Sequence, residues 1–367
     1  MSQLQVNRIN DASGGVLAPI SSVMRNRIIN GAMVIDQRNA GAQITPTVQY
    51  TLDRWLVVPT QASKFTLQQN AGSVTPPAGF SNYLGVTSAS AYSLAAGDTF
   101  FLAQFIEGFN TADLDFGKST AKTLTLSFWV RSSLTGTFGG AFLNSAANRS
   151  YPFSYTISSA NTWEQKSVTV AGDTTGTWVG ATNGIGLQLR FGFGSGSTYS
   201  GTAGAWVAGD IVQTTGNVSV VGTNGATFYI TGVQLEVGTQ ATSFEYRQYG
   251  TELALCQRYT QVRKGGEGSN NAITFCGVGN ARNSTTWYGA DKFSVTMRTF
   301  PSLTVTNATS FQLFSASSFA TTGMGYDISD RDYMLTSALV ASGLTTSQFY
   351  TLTTTNSNAS LVYSAEL

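Results

Sequence analysis

The chain of 367 residues contains no histidine. That removes Ser-His-Asp and Cys-His catalysis, and with only two cysteines it removes the common zinc ligand sets as well. Charge is equally scarce: 11% of residues are Asp, Glu, Lys or Arg, where about 25% is usual for globular proteins. The formal net charge is +1, so no long-range field draws in nucleic acid or anionic lipid, and the basic residues are expected in scattered local pairs. No apolar run approaches the roughly 18–20 residues that span a bilayer, so no membrane insertion is expected. The start, Met1-Ser-Gln-Leu-Gln-Val-Asn7, lacks the basic-then-apolar layout of a secretory signal, and the chain is expected to stay in the cytoplasm where it is made. Cys256 and Cys276 are therefore expected as free thiols, Cys256 buried. The phosphate-cradling G-x-x-x-x-G-K-[ST] loop is missing. The glycines of Gly192-Phe-Gly-Ser-Gly-Ser197 are followed by no helix. No cofactor is implied.

What is present is glycine (39 residues) with much Ser, Thr, Asn and Gln, and few of the strong helix formers. This composition suits short strands and tight turns, so the expected class is all-β. Leu124, Leu126, Phe128 and Val130 alternate with polar neighbours, as do Ile185, Leu187, Leu189, Phe191 and Phe193. Such alternation predicts strands with one packed and one solvated face, paired into an antiparallel jelly-roll sandwich over residues 25–247. Within Phe228-Tyr-Ile-Thr-Gly-Val-Gln-Leu-Glu-Val-Gly-Thr-Gln-Ala-Thr-Ser-Phe-Glu-Tyr-Arg247, the apolar phase shifts at Gly232. A lone glycine inside a strand predicts a β-bulge there.

Residues 1–24 are expected as an extended arm, with Leu4 and Val6 alternating and Pro19 opposing a helix. A short linking helix is expected in 248–262, with Thr251 as its cap and Leu255 and Tyr259 stacked four apart. A smaller β-rich C-terminal domain follows, 263–367, in which Asp330–Ser342 reads as either helix or strand. No fixed-period repeat, collagen run or heptad predicts a fibrous shaft.

Three segments carry a resemblance: Asn26-Arg-Ile-Ile-Asn-Gly-Ala-Met-Val-Ile-Asp-Gln-Arg-Asn39, Tyr50-Thr-Leu-Asp-Arg-Trp55, and the 228–247 segment with Thr251-Glu-Leu-Ala-Leu-Cys-Gln-Arg-Tyr259 after it. Together, and with the ending Tyr363-Ser-Ala-Glu-Leu367, they resemble a family of bacteriophage virion proteins, labelled tail-fibre or minor structural proteins, with a domain similar to carbohydrate-binding modules. The resemblance implies a non-enzymatic virion surface protein, a tail fibre or receptor-binding subunit that acts in host adsorption through multivalent contacts. It implies assembly in the host cytoplasm, a homotrimer, contacts to other virion proteins through the N-terminal arm, and a host surface glycan as partner. A dimer fits the composition equally well. The rival reading is a capsid decoration, head-fibre or cement protein. A polysaccharide depolymerase stands third.

Hydrolysis would rest on Glu107, Asp113 and Asp115. If extended, Asp113 and Asp115 point the same way roughly 7 Å apart, within the range a glycosidase pair needs. Solvated turn residues are the plainer expectation, and calcium ligands another. Glycan binding without hydrolysis asks for exposed rings flanked by polar groups, and Trp178, Tyr199, Trp206 and Trp287 stand in Gly/Ser/Thr-rich contexts that suit it. The same four rings would equally serve as sandwich core or subunit interface. Trp55, Trp129, Asp36, Asp53 and Arg54 read as structural.

Overall fold

The computed structural model describes residues 9–10, 16–18, 24–266 and 275–367. Most of the arm expected over residues 1–24 lies outside them; its described part is two paired strands, Ile9–Asn10 and Val16–Ala18. The protein is nearly all-β and divides into two compact units, one ending at Gln248 and one spanning Tyr249–Leu367.

The first unit is a sandwich of two antiparallel sheets. One has seven strands in the order Val207–Ala208, Arg149–Ile157, Gly136–Leu143, Ile185–Ser195, Thr99–Glu107, Leu56–Pro59, Gln49–Tyr50. The other has five: Glu164–Val170, Leu124–Ser132, Thr227–Val237, Leu84–Ser88, Phe65–Gln69. Hairpin neighbours such as Gly136–Leu143 and Arg149–Ile157 alternate in the sheets with pairs distant in sequence, such as Thr99–Glu107 with Ile185–Ser195 and Leu124–Ser132 with Thr227–Val237, as in a jelly roll. The alternating apolar residues do what their period predicts. Leu126, Phe128 and Val130 from one sheet meet Leu187, Leu189, Phe191 and Phe142 from the other in a single core.

One expectation fails on the seven-stranded sheet. Strand Ile185–Ser195 is buried along almost its whole length on both faces. Its outer face is not solvated because the chain following it folds back across the sheet. Val212 is buried there with Phe101 and Ala103, and Tyr199 packs against the same cluster.

Gly232 forms the bulge. Its φ is +61°, and the pairing of Thr227–Val237 with Leu124–Ser132 slips between Thr231 and Gln234. The slip lets Val233 and Leu235 rejoin the core. The Asn26–Asn39 segment docks at this point: Arg27 N–H donates to Leu235 O at 2.9 Å and Val233 N–H to Gly31 O at 2.9 Å. Asn26 reads the same edge twice, accepting from Leu235 N–H at 3.0 Å and donating to Val233 O at 3.1 Å. Arg247 closes the arrangement by donating to the Ile28 and Asn26 carbonyls. Trp55 is fully buried with its indole N–H on Asn30 O, and Asp53 takes Gln37 N–H and lies 3.8 Å from Arg38. Residues 26–39, 50–55 and 228–247 thus form a clamp within the sandwich.

The second unit opens with the helix Tyr249–Gln257. It starts two residues before Thr251, which therefore sits in the first turn and is not the cap, and Tyr259 lies beyond its end. Cys256 and Cys276 are both buried. Six strands then close a barrel in the order Phe275–Ala281, Thr286–Lys292, Tyr333–Val340, Ser318–Ser329, Phe311–Phe314, Phe349–Thr354. A sheet of Thr260–Lys264, Ser360–Ser364 and Ser302–Thr306 accompanies it and shares its core. The helix-or-strand segment resolves as strand because Met334, Thr336, Ala338 and Val340 alternate inward.

Candidate functional site

The four candidate rings go to three different places. Trp178 and Trp206 meet at the rim of the sandwich, from the loops on either side of strand Ile185–Ser195, with centroids 5.2 Å apart and planes at 87°. Phe116 stands edge-on to both, at 4.8 Å and 5.7 Å, and Tyr151 joins Trp206 at 5.4 Å. Edge-to-face contacts of this kind suit the ring quadrupoles, and each adds about 0.5–1.5 kcal/mol beyond the area it buries. Phe116, Trp178 and Trp206 are partly buried against the core, and Tyr151 is buried within it.

Both indole N–H groups are anchored inward. Trp206 donates to Ala171 O at 2.7 Å, and Trp178 to Thr175 O at 3.1 Å and Asp173 Oδ2 at 3.3 Å. Asp173 is buried and takes a two-pronged contact from Arg149, at 2.5 Å and 2.7 Å. Burial raises the Asp173 pKa, but the hydrogen bonds from Arg149, Thr175 and Trp178 outweigh it and hold the carboxyl below its ordinary range. Gly117, at φ +85°, favours glycine by its backbone and packs tightly, since a Cβ would stand 3.2 Å from the Trp178 indole. The aromatic cluster is therefore held from beneath by a buried ion pair and left open along one edge.

That edge borders a pocket of about 110 Å³ lined by Thr111, Leu114, Asp115, Phe116, Lys118 and Trp178, among others. It is far smaller than the roughly 300 Å³ at which enclosed ligand sites begin. It would take one edge of a ligand rather than a whole ring. Lys118 Nζ donates to Asp115 Oδ1 at 2.8 Å, which lowers the Asp115 pKa and keeps a carboxylate on the pocket lining. Donor, acceptor and apolar ring edge thus converge on one small opening.

Tyr199 and Trp287 are elsewhere. Tyr199 faces the outer cluster on the seven-stranded sheet. Trp287 corrects the sequence expectation outright: it is wholly buried in the second unit, with its indole N–H on Tyr350 O at 3.2 Å. The glycine-rich context serves burial here, because a Cβ on Gly289 would lie 2.2 Å from the ring. It offers no surface to a ligand.

Of the carboxylates considered for hydrolysis, Glu107 ends strand Thr99–Glu107, whereas Asp113 and Asp115 are not on a strand. Ala112–Leu114 is a 3-10 turn, and Asp115 follows it with left-handed backbone at φ 55°. Asp113 takes both prongs of Arg27, at 2.9 Å and 2.7 Å, Asp115 takes Lys118, and Glu107 is buried. A general acid needs a raised pKa; Asp115 has a lowered one. Among the described residues no cluster of three or more carboxylate or cysteine side chains is placed to hold a metal ion.

No family model matches the chain, and no curated protein matches it. Similar solved structures exist. The enzymatically active domain of bacteriophage CBA120 tailspike protein 4 is 14% identical over 58% of this chain and 22% of that one, with a TM-score of 0.31. TmCBM61, solved with beta-1,4-galactotriose, is 10% identical over 58% of this chain and 99% of that one, TM-score 0.30. The family 11 carbohydrate-binding module of Clostridium thermocellum, solved with a mixed-linked tetrasaccharide, is 10% identical over 55% and 97%, TM-score 0.27. The chain thus spans about a fifth of the tailspike domain and nearly all of either module. These similar structures are carbohydrate-binding modules and a phage tailspike domain; at such identities and scores no functional argument rests on them.

Sequence reasoning missed Phe116, Tyr151, Arg149 and Asp173. Phe116 is a single aromatic in ordinary surroundings, and Tyr151 is one of three alternating strand aromatics with Phe153 and Tyr155. Nothing local tells that Arg149 and Asp173, 24 positions apart, support the same ring. The one local signal was Phe116-Gly117, an aromatic followed by a left-handed glycine, which marks a turn with a ring at its tip.

Proposed function

We propose that the chain is a non-enzymatic bacteriophage virion surface protein, a tail-fibre or receptor-binding subunit, that touches a host surface glycan at the aromatic rim of its sandwich. The observation that carries the reading is the Phe116–Trp178–Trp206 cluster beside a pocket holding a paired carboxylate and ammonium. Ring edges and faces offer apolar area to the C–H side of a sugar, and the Asp115–Lys118 pair offers an acceptor and donors to its hydroxyls.

The pocket's small size fits a weak single site. Weak sites become effective when several copies act from one particle, with avidity gains of about 10²–10⁴. The expected bearer of those copies is the virion, in keeping with the Asn26–Asn39, Tyr50–Trp55 and 228–247 segments, whose role within the fold is the clamp described above.

The test is binding of the full chain to purified host surface polysaccharide on a biosensor, with Trp178→Ala beside it. Saturable binding that falls at least tenfold in the variant supports the reading. Absence of binding by the unaltered chain, or binding that the variant leaves untouched, overturns it. Incubation of the same polysaccharide with the chain is expected to leave its length unchanged; shortened chains would move the reading to a depolymerase.

A further inference from the structure

The turn that leads into the pocket wall at Thr111 carries a ring of its own. It is the 3-10 turn Gly108–Asn110, and main-chain groups hold it in place. Gly108 N–H donates to Gly184 O at 2.8 Å and Phe109 N–H to Thr182 O at 2.9 Å, while the Arg27 guanidinium donates to Asn110 O at 2.8 Å. Gly108 lets the two loops touch, since a Cβ there would stand 2.4 Å from Gly180 O and 3.2 Å from Val179 Cγ1. None of these bonds uses the Phe109 side chain, and the residue is 57% exposed. Any side chain at 109 would leave the turn as it is, so the fold itself does not call for a ring there.

The loop that receives this turn starts at Trp178. It runs from that indole past the pocket lining at Val179 and Gly180 to Thr182, where Phe109 is bonded. Gly180, Ala181, Thr182 and Asn183 are exposed. A Cβ on Gly180 would meet no atom within 4 Å, so the strip is low and open at that point. Residues 179–184 include no charged side chain, and Thr182 and Asn183 supply hydroxyl and amide groups. The order along this part of the rim is ring, polar strip, ring.

We infer that the ligand of this rim is a chain of several sugars, with Phe109 as a second platform that selects for chain length. This rests on the glycan contact proposed above and adds to it the form of the ligand and a specificity-determining residue. A pocket of about 110 Å³ grips one edge of a single sugar, which leaves the rest of a longer ligand to the neighbouring surface. Sugars further along the chain then cross the strip, where their hydroxyls meet Thr182 and Asn183, and lay a C–H face on the Phe109 ring. A single exposed ring is ordinary on a protein surface. One fixed on a turn that is bonded to the pocket's own loop is a contact whose ordering cost is already met. Once one end of the chain is held at Trp178, the contact at Phe109 is intramolecular, so each adds to the other's effect.

The test is competition on the biosensor, with full chain binding immobilised host surface polysaccharide and fragments of that polysaccharide, two sugars or six sugars long, added in solution. The longer fragment is expected to compete at a concentration lower by about tenfold or more. Phe109→Ala is expected to remove most of that advantage and to leave competition by the shorter fragment unchanged, whereas Phe109→Trp keeps both. Trp178→Ala weakens binding of either fragment. Thermal unfolding is expected to show Phe109→Ala as stable as the unaltered chain, because its turn is held by main-chain groups. Equal competition by the two lengths, a length advantage that survives in Phe109→Ala, or an equal loss for both lengths in that variant overturns this inference and leaves the Trp178 contact standing. Failure of the unaltered chain to bind the polysaccharide at all overturns both.

Discussion

Trp178 and Trp287 are both tryptophans in polar, glycine-rich sequence, yet one lines a pocket and the other fills a core. The difference lies in where neighbouring Cβ atoms are missing. Gly289 clears space over the Trp287 ring inside the barrel, whereas Gly117 only lets Trp178 settle against its supporting loop. Trp287→Ala is accordingly expected to destabilise the second unit by about 3–5 kcal/mol and to leave polysaccharide binding intact. Thermal unfolding followed alongside the biosensor measurement checks both halves of that statement.

Asp173 makes a second residue-scale prediction. Its folded pKa is held below the unfolded value of about 3.9. A group of that kind stabilises the fold above the unfolded pKa, and its contribution is lost as pH falls through the folded one. Denaturant midpoints of the full chain are therefore expected to fall as pH drops below about 4. Asp173→Asn, which leaves the partly exposed Arg149 without its charged partner, is expected to cost about 1–2 kcal/mol near neutral pH and to flatten that part of the profile. An unchanged profile in the variant would show that the acid sensitivity arises elsewhere.

At the scale of elements, strand Thr227–Val237 is central to the five-stranded sheet. It pairs with Leu124–Ser132 and Leu84–Ser88 and receives the Asn26–Asn39 segment at its bulge. Gly232→Ala asks a side chain to adopt φ +61° and places a Cβ 2.6 Å from the Phe80 ring. About 1–3 kcal/mol of backbone strain is expected, before any cost of moving Phe80. Equilibrium unfolding in urea measures it. This element was legible from sequence, because a two-residue period that breaks at a glycine has one simple geometric cause. The same rule reads Tyr333–Val340 less well. Leu335 and Leu339, four apart, imitate a helix face, and only the barrel shows that the smaller residues between them point inward.

Asp113 and Asp115 lie in a turn, as the plainer expectation of solvated turn residues has it. Residues 113 and 115 face alike only if the chain is extended, and the chain turns there instead. The aromatic rim was half legible: Trp178 and Trp206 stood out by type and context, but their meeting is a tertiary event. So is the covering of strand Ile185–Ser195, whose outer face carries the pattern of a solvated surface. Local period reports which residues face the same way. It does not report what the next stretch of chain lays over them.

At the scale of the whole molecule, the proposed role rests on the first unit, a sandwich with a weak aromatic contact at its rim. Antibody against the chain is expected to label the tail tip of particles that carry it. Label spread over the head would assign it to capsid decoration.

The central claim is that the Trp178 rim makes the contact with the host. Its most direct measurement is competition: purified chain is added to host cells before the particles, and the adsorption rate is followed. The unaltered chain is expected to slow adsorption in a dose-dependent way, and Trp178→Ala to have little effect at the same concentration. Equal inhibition by both, or by neither, would contradict the account.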